Sequence, residues 1–302
     1  TPDVAKYEFS MPDGSDMPPV TAGAHIDVVV APEFFRQYSL SGDPADRSKY
    51  QIAVLREDTG KGGSKLMHRI FAEGRMVFIS KPLNHFPLAE DVSKTYLMGG
   101  GIGITPMIAM AHRLHAIRAD FAMHYSCSKQ ANAGFLDDLE NMPWKDRVHL
   151  HFSDKGSRAD LGKTLQYQTG AHVYTCGPDI YMQSVIAAAE AAGFPEDNRH
   201  LEYFTTPELP DYVNHEFTLK LARSGREFHV PADKSATDVL IENGIKIDVK
   251  CSDGICGVCK CGLIAGDVEH RDYVLSKKQR QNQVILCQSR AVEAGGIVEV
   301  DL

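Results

Sequence analysis

Positive charge is what this sequence most lacks. Its 32 Lys and Arg stand against 40 Asp and Glu, a formal net charge of −8, and such a balance leaves no electrostatic footprint for nucleic acid. Long apolar runs are missing too. The most apolar stretch, residues 96–111, is interrupted by four glycines and a Thr-Pro step, so it is too short and too broken to span a bilayer. No signal peptide opens the chain. Thr1 stands where a start methionine would, so a trimmed amino-terminal end is expected. Repeats and low-complexity tracts are absent. So are the paired, evenly spread cysteines of a secreted disulfide framework: of seven cysteines, five crowd into residues 251–287. A reduced, cytoplasmic protein with one metal site is the expectation.

What is present divides into three lobes, and 302 residues leave room for two or three domains. Residues 1–91 read as mainly strands, at 24–31, 36–41, 50–56 and 76–83, with a helical stretch at 64–72. That spacing suggests a small barrel or sandwich. Residues 92–205 alternate apolar strand candidates (95–98, 121–125, 148–152, 172–175 and 200–204) with helical segments, the clearest at 179–192. Strand–helix alternation of this kind argues for a parallel sheet covered on both faces. Residues 206–215, with two prolines and little periodicity, read as a linker. Beyond it, residues 216–302 open on a hairpin signal at Ser224-Gly225 and a capping box of Ser235 with Asp238.

The stretch CSDGICGVC, residues 251–259, poses the sharpest chemical question. A disulfide knot, a zinc site and an iron–sulfur cluster all compete for it. With Cys287, 28 positions after Cys259, the set becomes C-x4-C-x2-C plus a distant fourth cysteine. That is the plant-type [2Fe–2S] spacing, three ligands on one tight loop and a fourth from elsewhere. Structural zinc usually takes two C-x2-4-C knuckles, and the second half here offers one cysteine. The ligands expected are Cys251, Cys256, Cys259 and Cys287, with Cys261 left out. Over residues 216–302 the lobe resembles the plant-type ferredoxins, which implies a β-grasp fold.

Two motifs in the first lobe point to an anionic cofactor. RQYSLSG, residues 36–42, sits on a strand where Arg36 and Tyr38 share a face. GKGGS, residues 60–64, runs from a glycine turn into a helix, whose free amides favour an anion. Read alone, these are also an edge strand with a solvated arginine and an ordinary capped turn. Here the sequence resembles the ferredoxin-reductase superfamily, whose R-x-Y-S motif binds flavin. On that resemblance Arg36 reaches the flavin phosphate and Tyr38 and Ser39 the ring, with Gln37, Leu55, Arg56, Lys61, Gly62, Gly63 and Ser64 beside them.

GGGIGITP, residues 99–106, follows a strand and opens a helix, as a pyrophosphate site requires, but it is not the G-x-G-x-x-G fingerprint. A turn packing a helix close to its strand is the plain alternative. The GGxGxTP form resembles the reductase superfamily, which implies Gly100, Gly101, Gly103, Thr105 and Pro106 against the coenzyme, with Thr105 on the nicotinamide side. The C-G-P of that family falls on Cys176, Gly177 and Pro178, implying Cys176 near the reacting carbon, with Met182 behind it. Ser126, Ser128 and Asp154 are placed at the adenosine ribose. One lysine there, Lys129, is thin provision for a 2′-phosphate, so NADH is expected rather than NADPH. By the same resemblance Phe204, which closes the second lobe in EYF, is the expected cover of the flavin ring, with a core aromatic as the alternative reading.

The order flavin lobe, nicotinamide lobe, ferredoxin resembles the phthalate dioxygenase reductase and vanillate demethylase reductase family. That implies a multidomain fold of α/β plus β: an antiparallel flavin-binding β-barrel, a ferredoxin-reductase-like parallel α/β domain and a β-grasp ferredoxin. It further implies FMN, a [2Fe–2S] cluster and NADH, with Cys176, Thr105 and Phe204 nearest the chemistry. Relatives carry further residues before the point matching Thr1, including a first barrel strand, so an incomplete barrel is the other reading of that end. Electrons are expected to pass to a separate terminal oxygenase of the Rieske non-haem iron type, acting on an aromatic acid such as phthalate or an ether such as vanillate, and docking near the cluster loop. Two alternatives stand beside this: a carnitine- or betaine-type monooxygenase as acceptor, and an iron–sulfur redox sensor without flavin activity.

Overall fold

The computed structural model describes residues 1–32, 34–58, 62–205 and 212–302. They form two compact units, residues 1–202 and 203–302.

The first unit begins with two antiparallel pairs. β1 (Val4–Phe9) pairs with β4 (Tyr50–Leu55), and β2 (His25–Ala31) with β3 (Phe34–Ser39). β1 is a strand not anticipated from the sequence. The segment read as a strand at 76–83 is reduced to two single bridges, Ile79 to Val28 and Leu83 to His25. The reason is visible in its side chains: Met76 and Phe78 are 73% and 82% exposed, so only alternate residues find the sheet. Ile26, Val28, Ile52 and Val54, all from the inner faces of β2 and β4, close the core with Met67 from α1 (Gly63–Ile70).

The same unit continues into an all-parallel sheet. Its strands are β5 (Lys94–Gly100), β6 (Phe121–Cys127), β7 (Val148–Phe152), β8 (Ala171–Cys176) and β9 (Arg199–Glu202), in the order β7-β6-β5-β8-β9. α2 (Ile104–Ala116), α3 (Leu136–Asn141), α4 (Leu161–Thr164) and α5 (Asp179–Ala191) lie between them. β5 is buried along almost its whole length, as a central strand covered on both faces must be. The chain leaves β5 toward β6 on one side and returns as β8 on the other. Between β5 and β8 therefore lies the switch point at which open parallel sheets bind ligands, beyond the carboxyl ends of the strands.

The second unit is a mixed five-stranded sheet in the order β11-β10-β16-β12-β14, built from β10 (Phe217–Leu221), β11 (Glu227–Val230), β12 (Lys260–Ala265), β14 (Gln283–Ile285) and β16 (Ile297–Val300). A small pair, β13 (Val268–Glu269) with β15 (Arg290–Ala291), stands beside it. α6 (Ala236–Glu242) starts on the expected Ser235–Asp238 capping box, and the short α7 (Lys277–Arg280) precedes β14. The parallel β10–β16 pair at the centre, with α6 packed over it, is the β-grasp arrangement. Residues 212–215 are held to this unit by two buried guanidinium groups. Arg271 donates to Asn214 Oδ1 and the Val213 carbonyl, and Arg290 donates to the His215 carbonyl. No helix among the described residues is long and apolar enough to cross a membrane.

Candidate redox site

The side chains of the R-x-Y-S run divide between the two faces of β3. Arg36 lies across the start of α1: a methyl group added at Gly63 would meet Arg36 Nε at 2.8 Å. Gly63 thus has to lack a side chain for the guanidinium to sit against the free amides of the helix start. Gly62, which precedes it, takes a left-handed φ of 85°. A guanidinium beside unsatisfied helix amides is a fitting cradle for a phosphate. Tyr38 shares Arg36's face, and burial pushes its hydroxyl pKa well up. Ser64 Oγ accepts from the Glu57 amide, fastening the turn. Gln37 is drawn to the other face, 2.8 Å from His25 Nε2. Leu55 lies opposite Val4 in the β4–β1 ladder, and Arg56 is bound to Asp3 at 3.0 Å, an ion pair across 53 residues that no local motif announces. Lys61 lies outside the described residues.

At the carboxyl ends of β5 and β8 the two glycine loops touch backbone to backbone. A side chain on Gly103 would stand 2.3 Å from the Cys176 carbonyl oxygen, and one on Gly177 would stand 2.7 Å from the Gly100 carbonyl. The glycines here are required by that approach. Gly101 has a φ of 55° and open space where a side chain would be, so its backbone is free to meet a pyrophosphate. The Thr105 hydroxyl is turned inward to the Ile102 carbonyl at 3.0 Å, pinning the turn into α2, and Pro106 is buried in that helix's first turn. Pro178 is the residue from which α5 starts, and Met182, 1% exposed, belongs to the interior. Ser126, next to the last residue of β6, stands opposite Gly100 of β5, and the Ser128 carbonyl accepts from the Asp154 amide. The Asp154 carboxylate accepts from the Gln130 amide at 3.2 Å, so it caps that turn.

The residue that sequence reasoning passed over is Glu202. It ends β9 directly opposite Cys176 of β8, and its Oε2 accepts a hydrogen bond from Ser39 Oγ at 3.0 Å, across 163 residues. Burial pushes its carboxyl pKa up to about 8, the Ser39 bond offsetting this in part. The residue as a whole keeps some solvent contact, while its carboxyl group is enclosed by protein. Cys176 is fully buried, and burial together with the neighbouring Glu202 carboxyl raises its thiol pKa well above the usual range. Ser39, Glu202 and Cys176 thus form one uncharged group at neutral pH, drawn from β3, β9 and β8. Phe204 lies two residues past the end of β9 and is 39% exposed. Its neighbour Tyr203 packs its ring on Tyr273 within the second unit, at 4.9 Å between centroids.

In the second unit Ser252, Gly254 and Gly257 take positive φ values of 58°, 74° and 69°. These turns aim backbone amides inward: those of Asp253 and Ile255 at Cys251, that of Val258 at Cys256 and that of Gly254 at Cys287. The four expected ligands meet side by side. Cys251 contacts Cys256 and Cys287, and Cys259 contacts Cys287. Hydrogen bonds from the neighbouring thiols hold Cys251 far below a free thiol, and that from Cys287 holds Cys259 at about 7. Among the described residues no three His, Cys, Asp or Glu side chains surround one point as for a single ion. Four contacting thiols ringed by amides would suit the [2Fe–2S] group expected from their spacing.

Fold and site together define a class: a flavin- and nicotinamide-type reductase unit joined to a ferredoxin. The sequence pattern of the 2Fe-2S iron-sulfur cluster binding domain matches residues 219–292. The chain is 41% identical, over 98% of its own length and 91% of the other's, to the reductase subunit of the tert-butanol monooxygenase / tert-amyl alcohol desaturase of Aquincola tertiaricarbonis. It is 36% identical to the vanillate O-demethylase oxidoreductase of a Pseudomonas species, over 97% and 94%. The structure of phthalate dioxygenase reductase, described as modular for electron transfer from pyridine nucleotides to [2Fe-2S], superposes with a TM-score of 0.70 and 34% identity. That match covers 100% of this chain and 94% of the other. The chain therefore belongs to the family of oxidoreductases that serve as reductase components of oxygenase systems. FMN, NADH and the [2Fe–2S] cluster are the cofactor set of that family, and the residues present fit all three.

Proposed function

We propose that this protein takes electrons from NADH and delivers them singly to a separate terminal oxygenase of the Rieske non-haem iron type. The observation that carries the reading is the succession of three sites of matching chemistry: the crevice at β5 and β8, the Arg36–Gly63 cradle and the ring of four cysteines. When bound, the flavin supplies the conversion of a two-electron hydride into single electrons that a cluster can accept. The chain's own residues do the rest. Gly101 and Gly103 leave room for the coenzyme pyrophosphate at the start of α2. Arg36, with the amides at Gly62 and Gly63, anchors the flavin phosphate, and Tyr38 lines the ring. Cys176, kept neutral by burial, offers a small apolar contact where the hydride passes. Glu202 holds a proton at its carboxyl, whose Oε2 accepts from Ser39 Oγ, at the point where proton and hydride must balance. Cys251, Cys256, Cys259 and Cys287 hold the cluster, and the inward amides stabilise charge on its sulfurs. We assign residues 1–91, 92–205 and 216–302 as the corresponding lobes; residues 206–211 of the expected linker lie outside the described residues, and 212–215 are held to the third lobe.

The oxygenase's own substrate leaves no mark on this chain, because a reductase never touches it. An aromatic acid or aromatic ether is one expectation. The greater identity to the reductase serving a tertiary alcohol supports a small aliphatic alcohol as the second. Reconstitution tests the proposal. Purified protein, NADH and a candidate Rieske oxygenase should give product formation that stops when either protein is omitted. An oxygenase without a Rieske centre accepting electrons faster would overturn the partner assignment.

A further inference from the structure

We propose that the cluster end of the second unit is a cationic docking face, built for an acceptor protein with an acidic surface. This deepens the reading above and rests on it for the identity of the acceptor as a separate oxygenase. The face is organised by a small apolar nest in which Ile247, Val249 and Leu275 pack with Ile285 and the ligands Cys259 and Cys287. Four segments converge on that nest, and three of them carry cations on their outer side. In residues 246–250 the alternation that turns Ile247 and Val249 inward leaves Lys246 exposed, whereas the Lys250 ammonium is enclosed by protein. Lys260 follows Cys259 directly and is exposed. α7, which follows Leu275, exposes Lys277 and Lys278 and adds a half-buried Arg280.

The carboxylates on the same segments are Asp248, Asp253 and Asp272. Asp272 is buried, where it accepts from the Val274 and Leu275 amides and lies 3.7 Å from Arg280. Five cations thus face three carboxylates at the cluster end, while the rest of residues 216–302 holds seven Lys and Arg against ten Asp and Glu. The lobe is nearly neutral in sum and positive where electrons leave it. That pole runs against the net charge of −8 of the whole chain. Residues 1–202 are acidic as well, with 20 Lys and Arg against 25 Asp and Glu, which makes the chain's own flavin-bearing part the rival occupant. A tethered partner already stands at an effective concentration of about a millimolar and gains little from steering. A free partner gains roughly 10- to 1000-fold in association rate. The free acidic acceptor is therefore the occupant we assign.

Small ions read the local potential directly. The protein, reduced with dithionite in the absence of oxygen, is mixed with hexacyanoferrate(III) or with hexaamminecobalt(III), each taking one electron, and the cluster's visible band is followed. The anion should oxidise the wild-type cluster at a rate that falls about tenfold from low to high ionic strength, and the cation should show the opposite trend. Lys246→Glu/Lys278→Glu should reverse both trends while leaving the NADH-driven reduction of flavin and cluster unchanged. An anion rate that rises with salt in the wild type, as the net charge of −8 alone dictates, would overturn the proposal. A variant in which NADH reduces the cluster more slowly would overturn it in favour of the chain's own flavin-bearing part. With an oxygenase found by reconstitution, product formation by the variant should fall about tenfold at low salt and meet the wild type at high salt. Equal rates at low salt would contradict the docking role. Because dithionite bypasses NADH, these outcomes stand apart from any failure of the NADH reading.

Discussion

Replacing Glu202 by Gln removes one ionisable proton from the centre of the first unit while keeping an oxygen that can accept from Ser39. In the wild type burial pushes the carboxyl pKa up to about 8 in the folded protein, from the usual carboxylate value of 4.5. A carboxyl raised in this way costs nothing below pH 4.5, where folded and unfolded chains are both protonated. As pH rises from there the unfolded chain ionises and the folded one does not, so stability is lost progressively until the folded carboxyl also ionises near 8. At about 1.4 kcal/mol per pH unit the full loss approaches ~5 kcal/mol. Residual solvent contact at Glu202 discounts this, and ~2–5 kcal/mol is the working range. Glu202→Gln should therefore gain that much stability relative to wild type between pH 4.5 and 8.5, read as the difference in denaturant midpoints at several pH values. At low pH the two should coincide. Curves that stay parallel across the whole range would refute the enclosure of this carboxyl and, with it, its role as a proton store.

Three further outcomes are expected. Cys256→Ser should abolish the cluster's visible absorbance while NADH still reduces the flavin, and loss of both would contradict independent sites. Arg36→Ala removes charge-assisted bonds worth about 1.5–3 kcal/mol, so FMN affinity measured by flavin fluorescence should weaken by about 10- to 100-fold; unaltered retention would remove Arg36 from the phosphate. Gly103→Ala places a methyl against the Cys176 carbonyl and should destabilise the first unit by about 1–3 kcal/mol with loss of NADH binding, whereas wild-type NADH affinity would show that the two loops can part.

Much of this was legible in the sequence, and what was not has a common physical reason. Three of the four cysteines proposed to hold the cluster are a matter of spacing along one loop, which the chain writes out directly. The inner parallel strands β5, β6 and β8 announce themselves as short apolar runs because both of their faces are covered. Contacts between remote segments leave no such trace. Arg56 reads as a flavin neighbour, and its ion pair with Asp3 is a contact that nothing nearby in the chain announces. Gln37 and Met182 sit within cofactor motifs, yet His25 engages the one and the interior encloses the other. In EYF the aromatic drew notice, while the fold encloses the acid: β9 stops at Glu202, and Phe204 lies beyond it. The Ser39–Glu202 bond spans 163 positions, a distance over which no pattern speaks.

The most direct measurement is an oxygen-free titration of the purified protein with NADH, followed by its visible spectrum. The account predicts that flavin and cluster bands both bleach, with NADPH far less effective. A flavin band that bleaches while the cluster remains oxidised would contradict the electron path, and the absence of any flavin band would contradict the Arg36–Gly63 cradle on which it begins.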